Sequence, residues 1–180
     1  MKEIIFAGFG GQGVLTGGLV IAYMAANKGF STVWMPAYGA TMRGGKANCV
    51  VKFAEDKGET IGSPIMEEAD AIVAMNEPAL DYLEFCKPCV KIFANAFIVG
   101  KDFTFSTGSE VMFIDFPGLS RSVGNELGQS LVAVAAVIKK CGIFEEEYAI
   151  ETMCKFFDEK GKGNYNKLNV QAMRAGFAAV

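Results

Sequence analysis

Gly8-Phe9-Gly10-Gly11-Gln12-Gly13 lies between an apolar strand pattern, Ile4 to Ala7, and a long apolar helix pattern, Val14 to Ala26. Glycines spaced as GxGxxG straight after a strand make a strand-to-helix turn. Its bare backbone N–H groups can face an anion at the positive end of the helix. Gly8 suits the tight turn, Gly10 lets a phosphate or another backbone come close, and Gly13 lets the helix lie against the strand. A dinucleotide site also needs an acidic ribose ligand about 20 residues on. No Asp or Glu occurs between Ile4 and Ala54, so a phosphate site and simple close packing both remain open.

The layers added to that first unit alternate. A second strand, Thr32 to Met35, ends in Pro36; further strands are read at Lys46 to Phe53, Ala71 to Met75, Val90 to Ala94 and Val111 to Phe116. A short returning strand is expected at Glu59 to Ile61, and a helix start at Ser63-Pro64. Helical patterns follow at Ala79 to Phe85, Val123 to Lys140, Glu145 to Phe157 and Asn164 to Ala179, with a polar, turn-rich stretch at Gly100 to Glu110. The fold class is α/β: an open, mostly parallel, Rossmann-like sheet with helices on both faces and a helical C-terminal part. No repeat and no internal boundary is visible, so residues 1–180 are expected to form one domain with a sizeable core.

The first helix is apolar on nearly every side, which requires cover from more than its own sheet. Gly17 and Gly18 cost it about 1 kcal/mol each relative to alanine, so close approach of a neighbouring backbone is expected there.

The net charge of −3 argues against general nucleic-acid binding. The charge is uneven: Ile4 to Ala54 carries +4 and Glu55 to Val180 carries −7, so an anionic ligand or an acidic partner would prefer the first part. Only Met1, Lys2 and Glu3 precede the first strand, which leaves no room for a secretory signal, and no apolar run comfortably spans a bilayer. The expectation is a cytoplasmic protein without a membrane anchor. Five cysteines, at 49, 86, 89, 141 and 154, suit reduced thiols. Cys86-Lys87-Pro88-Cys89 stands alone: zinc would need a second ligand pair, histidine is absent, and no cysteine run suits an iron–sulfur cluster. A thioredoxin-like pair should open a helix, whereas this one follows a helical pattern, which favours buried or incidental thiols.

The stretch Pro36-Ala37-Tyr38-Gly39-Ala40-Thr41-Met42-Arg43-Gly44-Gly45 reads as a long loop with no acid. Arg43 on a flexible Gly44-Gly45 mount suits a phosphate or carboxylate, and Tyr38 and Met42 are costly to leave on an idle loop.

Three stretches together carry a resemblance. Ala7 to Val14, Pro36-Ala37-Tyr38-Gly39 with Arg43-Gly44-Gly45, and Asn169-Val170-Gln171-Ala172 with Gly176 resemble the gamma subunit of the 2-oxoacid:ferredoxin oxidoreductases. Ile61-Gly62-Ser63-Pro64 and Val73 to Asn76 extend the likeness almost from end to end. Such enzymes oxidatively decarboxylate a 2-oxoacid on thiamine diphosphate, pass electrons through iron–sulfur clusters to ferredoxin and release an acyl-coenzyme A. The resemblance implies that this chain binds none of these cofactors alone, carries no catalytic residue or metal ligand, and packs on alpha, beta and ferredoxin-like subunits. It implies that Gly8, Gly10, Gly11, Gln12 and Gly13, with Tyr38, Gly39, Arg43, Gly44 and Gly45, form the edge that shapes access for coenzyme A or meets a partner. It favours 2-oxoglutarate over branched-chain 2-oxoacids or pyruvate, and implies that the isolated chain is inactive. Near Gly124-Asn125, where comparable members carry a further Asn and Gly in the following helix, this chain has Gln129 and alanines, so no site residue is assigned there. The alternative is a free-standing Rossmann-type dinucleotide-binding protein; a third reading confines the glycines to helix packing and assembly.

Overall fold

Strand β1 (Lys2–Phe9) is apolar on both faces, and in the computed structural model it lies inside a six-stranded sheet of order β2-β3-β1-β4-β5-β6. The structure describes residues 1–39, 44–56, 58–97 and 108–180. The other strands are β2 (Ser31–Tyr38), β3 (Lys46–Ala54), β4 (Ala69–Ala74), β5 (Cys86–Asn95) and β6 (Glu110–Ile114). β1, β4, β5 and β6 pair parallel, whereas β3 runs antiparallel between β1 and β2. The strand after the first helix is therefore separated from β1 by a reversed strand. This removes the neighbour that would present a ribose ligand in a dinucleotide fold.

Alternation along the strands builds two cores. Ile4, Phe6, Cys49, Val51, Phe53, Val73 and Phe93 face the larger one, under α1 (Val14–Asn27) and α3 (Gln129–Cys141), with α4 (Glu146–Glu159) and α5 (Asn166–Ala178) packed behind. Ile5, Ala7, Val50, Ile72 and Ile92 face the smaller one, covered by a 3-10 helix over Glu77–Phe85. On that smaller face Glu3 and Lys52 sit opposite each other across β1 and β3, their charged atoms 3.2 Å apart. Glu3 also accepts the Glu67 N–H at 2.6 Å, which ties the segment before β4 to the sheet.

Helix α1 lies on β1 and β3 at its two glycines. A Cβ on Gly17 would come within 2.9 Å of the Phe6 ring, and one on Gly18 would strike the Cys49 sulfur. The compensation for these residues is close contact with side chains of the sheet, where an approaching backbone was the sequence-based expectation. At the other side of the bundle, a Cβ on Gly176 of α5 would meet the Val132 carbonyl oxygen of α3.

Several elements differ from the sequence reading. β2 runs through Pro36 to Tyr38, because it is an edge strand where the missing proline N–H removes no ladder bond from a second neighbour. Residues 59–61 pair with no strand among the described residues, and Ser63-Pro64 starts no helix: the Ser63 hydroxyl accepts the Ile65 N–H in a local turn. The helix expected over 123–140 starts only at Gln129, and a separate helix stands where the end of the strand to Phe116 and its closing turn were expected. α2 (Phe116–Ser122) begins on the Asp115 cap, whose Oδ1 accepts the Gly118 N–H at 2.8 Å, and Gly124 turns the chain at a φ of 77° before α3. The expected turn-rich stretch from Gly100 falls largely outside the described residues.

Candidate functional site

β1 delivers the glycine turn to the C-terminal edge of the sheet, and the antiparallel pairing of β2 and β3 brings the hairpin between them to the same end. The two glycine motifs meet there backbone to backbone. The Gly10 N–H donates to the Gly45 carbonyl at 2.9 Å, and the Gly44 N–H returns a bond to the Gly10 carbonyl at 3.3 Å. Gly39 closes the hairpin by donating to the Lys46 carbonyl at 3.3 Å.

Gln12 holds the turn from inside. Its Oε1 accepts the Phe9 N–H at 2.8 Å, and its Nε2 points to the Met75 carbonyl at 3.5 Å, a carbonyl that also receives Asn95 Nδ2 at 3.4 Å. The ends of β1, β4 and β5 are thereby latched together. Gly8 is buried beneath this latch; a Cβ there would lie 2.7 Å from Gln12 Oε1 and 2.9 Å from Met75 Cβ. Gly13 caps α1 in the left-handed region at a φ of 78°, with Ser130 Oγ only 2.7 Å from where its Cβ would stand. Gly8 and Gln12 are thus parts of the support, while Gly10, Gly11 and Gly13 reach the surface.

A cleft of about 600 Å³ opens over the turn, with Gly10, Gly11 and Gly13 on one side and Trp34, Pro36 and Tyr38 on the other. Tyr38 is 58% exposed. Thr16 and Leu15 complete the floor at the start of α1. The first turn of α1 bears no acidic residue and no side-chain cap, so the positive end of its dipole faces the cleft uncompensated. With the Gly10 N–H committed to Gly45 and the Gln12 N–H to the Phe9 carbonyl, the groups left to meet an anion there are those of Gly11 and of Gly13 into the first turn of α1. Behind the cleft, Cys49 is inert: burial pushes its thiol up to about 12, and the sulfur contacts the Val14 carbonyl at 3.4 Å. Arg43 lies outside the described residues, as do Thr41 and Met42.

Trp34, Thr16 and Ser130 are not among the site residues expected from the sequence, and Pro36 stands there as a strand end and motif residue only. Trp34, Pro36 and Tyr38 share one face of β2 by simple alternation, a signal hidden by ending that strand at Met35. Ser130 comes from α3, more than 100 residues away in the chain, and has no local signature.

The lone cysteine pair does not fit a cluster or a metal. Cys86 turns to the Tyr82 carbonyl, Cys89 is exposed on the bulged start of β5, and no group of three metal-ligating side chains is present among the described residues.

A glycine turn, a helix terminus without an acidic residue and a hairpin wall stand together at one edge of an open, Rossmann-like α/β sheet. The chain belongs to the pyruvate ferredoxin/flavodoxin oxidoreductase family, whose model matches residues 3–179. It is similar to the ketoisovalerate oxidoreductase subunit VorA of Methanothermobacter thermautotrophicus, 47% identical over 79 residues that make up 44% of this chain. The match spans 16% of that subunit's length. The 2-oxoglutarate synthase subunit KorC of the same organism is 29% identical over 97% of this chain and 93% of its own. Among solved structures, a keto/oxoacid ferredoxin oxidoreductase gamma subunit from Geobacter sulfurreducens shares the fold with a TM-score of 0.81 at 24% identity, covering 99% of this chain and 98% of that one. A 2-oxoglutarate:ferredoxin oxidoreductase from Magnetococcus marinus, with 2-oxoglutarate, coenzyme A and succinyl-CoA bound, gives 0.84 at 21% identity over 99% of this chain and 30% of that one. The family resemblance read from the sequence is borne out, and so is the α/β fold class. Among the described residues no helix is long and apolar enough to cross a membrane.

Proposed function

We propose that this chain is the gamma subunit of a 2-oxoacid:ferredoxin oxidoreductase, a single gamma domain over residues 1–180 that supports oxidative decarboxylation to an acyl-coenzyme A. The observation that carries the reading is the meeting of the two glycine motifs at one cleft, in a chain of this family. On this reading the chain works in the cytoplasm, packed on alpha, beta and ferredoxin-like subunits that hold thiamine diphosphate and the iron–sulfur clusters, and the complex delivers electrons to ferredoxin. Alone it has no turnover. The substrate favoured is 2-oxoglutarate, since the likeness to KorC runs along nearly the whole of both chains, with a branched-chain 2-oxoacid as the runner-up from the likeness to VorA.

Coenzyme A fits the cleft in kind. N–H groups of Gly11 and of Gly13 into α1 suit a phosphate, Tyr38 and Trp34 offer flat apolar surface, and Arg43 is the cation that the sequence supplies nearby. The Tyr38 side chain and the glycine turn then set how coenzyme A enters, while the 2-oxoacid is read by other subunits.

The test is reconstitution with the partner subunits and steady-state assay of 2-oxoacid-dependent ferredoxin reduction. Tyr38→Ala and Arg43→Ala are expected to raise the KM for coenzyme A about tenfold, the equivalent of one lost charged or aromatic contact, with the KM for the 2-oxoacid unchanged. Turnover by the purified chain alone would overturn the reading. So would variants that shift only the 2-oxoacid KM.

A further inference from the structure

A second pocket, of about 130 Å³, opens at the other end of the sheet from the glycine turn, where β1, β4 and β5 begin and α3 ends. A bulge in β5 makes it. Ala69 faces Cys86 and Ala71 faces Lys91, so β5 advances five residues while β4 advances two, and Lys87 to Val90 leave the ladder. Cys89 takes a left-handed φ of 66° in this bulge, a conformation unfavourable for any residue with a Cβ.

Three half-buried lysines line the pocket: Lys2 and Lys91 from the two strands, and Lys87 from the bulge. Asp70 lines the pocket with them, and both of its oxygens are engaged; Glu110 stands across the ladder from Lys91 and pairs with Lys140. Lys87 Nζ binds Oδ1 at 2.9 Å, and the Glu3 N–H binds Oδ2 at 2.7 Å. Lys139 and Lys140, on the last turn of α3, pair with Glu146 and Glu110. Lys2 and Lys91 pair with no carboxylate among the described residues. Both signs of charge reach the pocket wall: burial pushes the Cys141 thiol up to about 11, Lys91 and Lys2 pull it down, and Asp70 and Glu110 push it up.

Three lysines against one lining carboxylate leave net positive charge around a small concave space, which suits a compact anion. The pocket has room for a tetrahedral oxyanion. We propose that the bulge pocket is a binding site for a phosphate-class oxyanion, either the free ion or the terminal phosphate of a larger ligand, held by Lys2, Lys91 and Lys87. It is separate from the cleft over the glycine turn and does not depend on the reading of that cleft.

Cys89 reports occupancy, since it is exposed and lines the pocket. The experiment is alkylation of the full chain by N-ethylmaleimide at constant ionic strength, followed by peptide mass spectrometry. Inorganic phosphate is titrated against chloride, and Cys154, which does not line the pocket, serves as the internal reference. Phosphate is expected to slow labelling of Cys89 saturably and leave Cys154 unchanged. In the Lys2→Met, Lys91→Met double variant, and in Lys91→Gln alone, protection is expected to need about tenfold more phosphate. Protection by ADP at lower concentration than phosphate assigns the pocket to the phosphoryl end of a larger ligand; protection by phosphate at the lower concentration assigns it to the free ion. Absence of saturable protection in the unmodified chain, or equal protection in a folded lysine variant, overturns the proposal.

Discussion

Gly10 and Gly45 are joined by a 2.9 Å backbone hydrogen bond, although 35 residues separate them, and this bond fixes the glycine turn to the base of the β2–β3 hairpin. The turn is therefore a braced element whose glycines have unequal duties. Gly8→Ala is expected to cost about 1–3 kcal/mol through overpacking against Met75 and Gln12. Gly13→Ala adds a left-handed backbone penalty to its collision with Ser130 and is expected to cost at least as much. Gly39→Ala, with open space around it and an ordinary φ, should stay within about 0.5 kcal/mol. Urea unfolding of the three variants checks the order.

The Glu3–Lys52 pair makes a second prediction. Lys52 is 1% exposed, so Lys52→Met strands a buried carboxylate and is expected to lose about 3–5 kcal/mol. Converting both residues, as Glu3→Gln with Lys52→Met, should recover much of that loss, because the remaining groups are neutral. A double-mutant cycle in chemical denaturant measures the coupling.

Thiol chemistry separates the cysteines by burial. At neutral pH in the folded chain Cys89 is expected to react first, with Cys141 and Cys49 unreactive until the protein opens. Burial holds the Cys49 thiol up to about 12, from an ordinary value of 9.0. Across that window the unfolded chain loses the proton while the folded chain keeps it. Stability should therefore fall as pH rises from about 9 towards 12, and Cys49→Ala should lessen that part of the slope. Melting temperatures recorded along an alkaline series supply the measurement.

At the helical side, Gly176 lets α5 rest on the Val132 carbonyl of α3. Gly176→Ala is expected to destabilise by about 1–3 kcal/mol. It should leave the neighbourhood of the glycine turn intact, which hydrogen exchange can test by comparing amides of α5 with those of β1.

The sequence disclosed the first strand, its turn and its helix, because strand hydrophobicity, glycine spacing and a long apolar run all agree there. It also disclosed β4, the core of β5 and the two last helices from periodicity. The reversed β3 was hidden, since an alternating strand carries no mark of its direction. Pro36 masked the end of β2, because proline stops an internal strand and is tolerated at an edge. The break near Gly124 was lost in a continuous helical pattern. What supports it is long-range: the Ser120 hydroxyl donates to the Asn125 carbonyl, and Asn125 Nδ2 donates to Asn169 Oδ1 at 3.0 Å on α5. At the cleft, Tyr38 and the surface glycines were named in advance, whereas Trp34 and Ser130 depend on strand length and distant packing.

The reversed direction of β3 has a further result. Because β3 turns back against β1, β2 stands at the margin of the sheet, outside the parallel strands β1, β4 and β5. One wall of the cleft, at Trp34, Pro36 and Tyr38, is thus a parapet carried by the outermost strand, while the opposite wall rests on the parallel foundation of the molecule.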